Sequence, residues 1–158
     1  MSIQLSTAIE VEQPPSVVWD VVADYDHDPA WRKGVETMDP SPHGPVAPGT
    51  TTREVLRMAG RTYRNDGEVI DVEPGRCFSW RTTSGAVARG SRTVEPIGSH
   101  ICRVRLELEV QPQGAERLMA PMLRRMLARN LEADGRRLAE LLEDRAAGSV
   151  TETQLAAR

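Results

Sequence analysis

Two hydrophobic periods divide this chain. Ile3, Leu5, Thr7, Ile9 and Val11 alternate with polar residues, which predicts a half-buried strand over residues 3–12. Pro14-Pro15 ends it. Pro15 and Ser16 suit a helix start, and Val17, Val18, Val21 and Val22 make a short apolar face around Trp19. A second short helical piece is expected from Asp26 to Trp31. Pro40, Pro42, Pro45 and Pro48 predict a loop over residues 39–49. Strand patterns recur at about 50–58, 61–73, 76–83, 87–96 and 100–111, separated by Ala59-Gly60, Pro74-Gly75, Ser84-Gly85 and Pro96-Ile97-Gly98. In the last of them Cys102, Val104, Leu106, Leu108 and Val110 face one way, and Arg103, Arg105, Glu107 and Glu109 the other. Short turns between consecutive strands imply antiparallel pairing, with one face buried and the other wet.

Helical spacing takes over near Ala115, and Pro121 should kink or restart the helix. Leu123, Leu127, Leu131, Leu138 and Leu141 share one face. Arg125, Arg129, Glu132, Arg136, Glu140 and Glu143 lie opposite, with Glu132 and Arg136 at the favourable i,i+4 spacing. A long amphipathic helix that follows a sheet must bury its stripe against that sheet. Asn130 and Asp134 interrupt the stripe, and a polar group on a buried face needs a partner, a water or a ligand. The pattern fades beyond Ala146. Residues 1–146 are therefore expected as a single domain and 147–158 as a flexible tail.

Composition narrows the function classes. The net charge of −3 argues against nucleic-acid binding, which favours a basic patch. No apolar run reaches the ~18 residues of an integral membrane segment. The chain opens directly on a strand pattern, so no signal peptide is expected. Cys77 and Cys102 lack metal or redox spacing, and the setting is expected to be cytoplasmic. His27, His43 and His100 are scattered, so no metal site is expected, and nothing in the sequence asks for a cofactor. A homodimer is compatible with all of this.

Four stretches carry a resemblance. They are Ile9-Glu-Val-Glu-Gln-Pro-Pro-Ser-Val-Val-Trp-Asp20, Asp28-Pro-Ala-Trp-Arg-Lys-Gly-Val35, Val69-Ile-Asp-Val-Glu-Pro-Gly-Arg-Cys-Phe-Ser-Trp80 and Leu138-Ala-Glu-Leu-Leu-Glu143. In this order of elements the chain resembles the START-like (SRPBCC) superfamily, which includes the polyketide cyclase/dehydrase and lipid-transport proteins. The resemblance implies an α+β helix-grip fold: a curved antiparallel sheet of about seven strands around a long C-terminal helix, with two short helices after the first strand. It also implies a cavity between sheet and helix that ligands enter past the short helices. In that topology one strand separates Cys77 from Cys102. Strands lie ~4.8 Å apart, so the two thiols should be near ~10 Å apart and stay free.

Strand parity puts Phe78, Trp80, Leu56, Met58, Val104, Leu106 and Leu108 on the inner face, with Ile70 and Val72 assigned there too. Met126, Leu127 and Leu131 face them from the helix. Glu54 shares parity with Leu56, and Arg92 with Val94. Buried charges pair or meet solvent in a pocket. An Arg92–Asp134 or Arg92–Glu54 pair is one reading of these residues, and a ligand contact is the other. Counting back from Ile70 places Tyr63 and Asn65 outside, unless Gly67 marks a bulge that turns them inward. Trp31 falls near the implied cavity mouth, as packing or as a lid.

The expected ligand-binding set is Trp31, Glu54, Leu56, Met58, Tyr63, Trp80, Arg92, Leu106, Met126, Asn130 and Asp134. The partner is expected to be a small hydrophobic molecule such as a lipid or polyketide. Arg92, Asn130 and Asp134 would orient its polar end. One alternative is an enzyme of the cyclase, aromatase or dehydratase type, in which Arg92 steadies an enolate and Tyr63, Glu54 or Asp134 moves a proton. The other is a protein-interaction module with a filled core and an exposed apolar patch.

Overall fold

The computed structural model describes residues 1–157. Strand β1 (Ile3–Val11) leads into helix α1 (Pro15–Val22), a 3-10 turn (Tyr25–His27) and the one-turn helix α2 (Asp28–Trp31). Six strands follow: β2 (Val35–Ser41), β3 (Thr51–Met58), β4 (Arg61–Glu73), β5 (Cys77–Ser84), β6 (Val87–Pro96) and β7 (Cys102–Gln111). A 3-10 segment (Gly114–Met119) then leads into helix α3 (Ala120–Ala156), with Pro121 in its first turn. A missing amide costs nothing there, so Pro121 starts α3 without breaking it. The sheet is antiparallel, in the order β1-β7-β6-β5-β4-β3-β2. This is the helix-grip arrangement. Cys77 and Cys102 lie on β5 and β7 with β6 between them, and both thiols are free.

Two local expectations change. Residues 39–41 are strand: β2 runs through Pro40 and pairs only with β3. An edge position tolerates a proline, because one side of the strand needs no donors. Residues 147–156 continue α3 with exposed side chains. Arg158 lies outside the described residues. Finally, Ile70 points outward and is 41% exposed, whereas Val69 is buried. Val69 pairs with Trp80 and Val72 with Phe78, so β4 carries one extra residue between them. That bulge reverses the parity of everything before it.

The solid core sits at one end of the grip. Val18, Val21 and Val22 of α1, Val94 of β6, Val104 of β7 and Leu138 and Leu142 of α3 are buried together with Trp31. Gln13 fastens α3 here by donating to the Leu142 carbonyl. A second cluster of Tyr25, Val46, Val69 and Phe78 lies under the loop after β2. The first turns of α3 stay clear of both clusters, and a cavity opens beneath them.

Candidate functional site

The cavity has a volume of about 170 Å³ and opens to solvent. Its sheet walls are Leu56 and Met58 of β3, Tyr63 and Asn65 of β4, Trp80 of β5, Ala88 and Arg92 of β6 and Leu106 of β7. Leu123, Leu127, Asn130, Leu131 and Asp134 close it from α3. Ten of the eleven expected residues therefore line one space: Trp31, Glu54, Leu56, Met58, Tyr63, Trp80, Arg92, Leu106, Asn130 and Asp134. Met126 does not. It lies on the flank of the α3 stripe and is half-buried outside the cavity.

Sequence reasoning missed Tyr25, Arg32 and Leu123 as lining residues. It also left Asn65 unplaced. Asn65 is buried, and its Oδ1 accepts the Ala86 amide at 3.0 Å, pinning the β5–β6 turn. Gly85 in that turn has φ +84°, and a Cβ there would stand 2.4 Å from the same oxygen, so only glycine fits. Gly90 plays a related part. A Cβ at Gly90 would come within 2.7 Å of the Trp80 ring, so its absence lets the indole lie across β6.

The polar end of the site is a chain of four charges. Arg92 grips Asp28 with both arms, Nη1 to Oδ1 at 2.8 Å and Nη2 to Oδ2 at 2.7 Å, and also donates to the Val22 carbonyl at 3.1 Å. Arg32 donates to Asp28 at 3.2 Å and to Glu54 at 3.0 Å. Asp28 is fully buried, so the partner of Arg92 is neither Asp134 nor Glu54. The Arg92 guanidinium also lies 4.8 Å from the Trp31 ring centroid, 4.9 Å from Tyr25 and 5.5 Å from Phe78. Such stacking suits the weakly hydrated, planar arginine group. Burial alone would lower the Arg92 pKa, but Asp28 outweighs it and raises it. The Trp31 Nε1 is buried without a hydrogen-bond partner.

Asp134 is different. Burial raises its pKa from 3.8 to about 6, against the Lys33 amide and Arg32, which hold it down. The Lys33 amide reaches Asp134 Oδ1 at 2.5 Å. Among the described residues, neither the other carboxyl oxygen nor the Asn130 amide has a protein partner. Both sit on the cavity wall, one turn apart on α3.

The folded state thus holds the Asp134 proton more tightly than the unfolded chain does. The stability this contributes is present below about pH 4 and is lost as pH rises to about 6. Asp134→Asn keeps an oxygen for the Lys33 amide and removes the buried charge. We expect it to stabilise the protein by about 1–3 kcal/mol at high pH and to be near neutral at low pH. Melts of both proteins at pH 4 and pH 8 test this; equal differences at the two values would contradict it.

A second, open groove of about 550 Å³ lies on the outer sheet face between Ser6, Ser79 and Glu107. Its polar side chains are bonded to one another, Arg89 to Glu109 at 2.7 Å and Ser91 to Glu107 at 2.6 Å. It is solvated surface with nothing convergent to recognise. Among the described residues no cluster of side chains could hold a metal ion. No helix of the described residues is long and apolar enough to cross a membrane.

A curved sheet gripping a helix over an apolar cavity defines the START-like class of hydrophobic-cavity modules. Within it, the chain belongs to the family described as polyketide cyclase / dehydrase and lipid transport, whose profile matches residues 2–143. No curated protein matches the sequence. Among solved structures, it is similar to the Zhui aromatase/cyclase from Streptomyces sp. R1128, with TM-score 0.77 and 16% identity over 92% of this chain and 96% of that one. A START superfamily protein from Mycobacterium smegmatis gives TM-score 0.72 and 15% identity over 89% of this chain and 97% of that one. Norcoclaurine synthase from Thalictrum flavum gives TM-score 0.66 and 14% identity over 91% of this chain and 88% of that one. At such identities the likeness is one of fold.

Proposed function

We propose that this protein binds a small hydrophobic molecule in the cavity, with the molecule's polar end at Asn130 and Asp134. The observation that supports this most is the pair itself: two polar side chains without full protein partners on an otherwise leucine-lined helix face. Arg92 is a support and not a ligand contact in this reading, because Asp28 and the Val22 carbonyl occupy its guanidinium. Size limits the guest. About 170 Å³ is close to cavities that hold benzene (~150 Å³) and below the ~300–1,000 Å³ of many ligand sites. One ring or a short aliphatic chain fits. A longer ligand would extend through the mouth or displace the methionine and leucine walls, which adapt readily.

The second reading is an enzyme of the cyclase type. A carboxyl group with a pKa of about 6 in an apolar cavity is suited to moving a proton near neutrality. Arg92, tied to Asp28, is poorly placed to steady an enolate. A filled-core interaction module fits least, because the space is open.

Native mass spectrometry of the purified protein, before and after solvent extraction, tests binding. The extracted protein is then offered one-ring ketones, alcohols and hydrocarbons of matched size. We expect one-to-one uptake, with Asn130→Leu weakening the ketone and alcohol about tenfold, or about 1.4 kcal/mol, and leaving the hydrocarbon unchanged. No uptake of any of these compounds would end the binding reading.

A further inference from the structure

The outer side of the cavity wall carries a patch that ligand binding does not use. Leu118 is 89% exposed, Met119 51% and Met122 55%. All three are exposed where the 3-10 segment ends and α3 begins. Arg125 and Arg129 continue the same line along the helix, and both are exposed. Arg117 and Arg124 flank it, also exposed. Residues 115–130 thus hold four arginines against Glu116 alone, a local net charge of +3 on a chain whose total is −3. Leu123 and Leu127 of the same helix line the cavity.

We infer that this patch docks the protein on an anionic lipid surface. The charge is of the sign that anionic headgroups attract, and it is concentrated where the apolar side chains emerge. Leu118, Met119 and Met122 protrude, three residues without a groove. That is too little for the ~800 Å² per partner of a stable protein interface. It is enough to enter the headgroup region when arginines supply the long-range attraction. The helix would lie on the surface and not span it, in keeping with its charge. The inference stands apart from the proposed binding function, since Leu118, Met119 and Met122 do not line the cavity.

Co-flotation with vesicles tests it. The vesicles are pure phosphatidylcholine, or phosphatidylcholine with about 30% phosphatidylglycerol, at low and at moderate salt. We expect the protein to float with the anionic vesicles at low salt and to be largely released by moderate salt and by neutral vesicles. Arg124→Glu/Arg125→Glu should reduce the bound fraction about tenfold, and Leu118→Ser/Met122→Ser should do the same with unchanged charge. Arg89→Glu, in the groove on the outer sheet face, should leave it unchanged. Circular dichroism and melting of each variant confirm folding. Absence of flotation with anionic vesicles overturns the inference, even if an acidic protein is found to bind the patch instead. So does flotation that survives both patch variants. Neither result alters the mass-spectrometric readout of the cavity.

Discussion

Replacing Asp28 with alanine should destabilise the fold by about 3–5 kcal/mol, the cost of leaving a buried charge without its partner. Asp28 is fully buried and takes both arms of Arg92, itself 6% exposed, as well as one arm of Arg32. Without it, the buried Arg92 guanidinium keeps only the Val22 carbonyl, and Arg32 keeps only Glu54. The loss is large beside the 5–15 kcal/mol that holds a typical domain together, so the single variant will melt early. A second variant separates pairing from mere presence. Asp28→Leu/Arg92→Met removes both charges and keeps apolar volume between Trp31, Tyr25 and Phe78. It should regain most of the loss, because a buried pair barely outweighs its own desolvation. Denaturant melts read both effects. A loss under about 1 kcal/mol for Asp28→Ala would mean that water reaches Arg92 and that this end of the site is wet.

Leu138→Ala should cost about 2–5 kcal/mol. Leu138 is fully buried among α1, β6 and β7, where α3 is held tightest. Leu127→Ala, by contrast, removes side-chain volume that borders an open cavity, and the lost contacts are fewer. It should cost less and enlarge the site. Arg129→Ala, on the exposed side, should stay within about 0.5 kcal/mol of the parent. Equal losses at Leu138 and Leu127 would mean that both halves of α3 are packed alike and that the cavity is closed in solution.

How much of this was legible in the sequence depended on whether one face of an element is buried over several turns or residues. β7 is legible because Cys102, Val104 and Leu106 are buried in alternation and Leu108 and Val110 continue the same face onto the cavity. The α3 stripe was legible for the same reason, and Asn130 and Asp134 stood out against it. β2 was hidden, since its proline looks like a loop signal and only its edge position makes it tolerable. β4 misled because its bulge lies between Val69 and Val72, not at Gly67 alone. Simple alternation therefore points Ile70 inward and does not fix Tyr63 and Asn65. The pairing of Arg92 had no local signal at all. Asp28 sits in a one-turn helix, too short for periodicity, and its partner is 64 residues away. Met126 was included because a stripe read by spacing has no sharp edge. The structure draws that edge between Met126 and Leu127.

The central claim is that the space between α3 and the sheet takes up a small molecule by its polar end. The most direct measurement is an NMR titration of the protein with a one-ring ketone, following backbone amide and methyl signals. Saturable shifts are expected at Leu56, Met58, Leu127 and Asn130, with the outer sheet face around Ser6, Ser79 and Glu107 unmoved. Shifts that do not saturate, or that fall on the outer face or the Leu118–Met122 patch with the cavity residues silent, would contradict it.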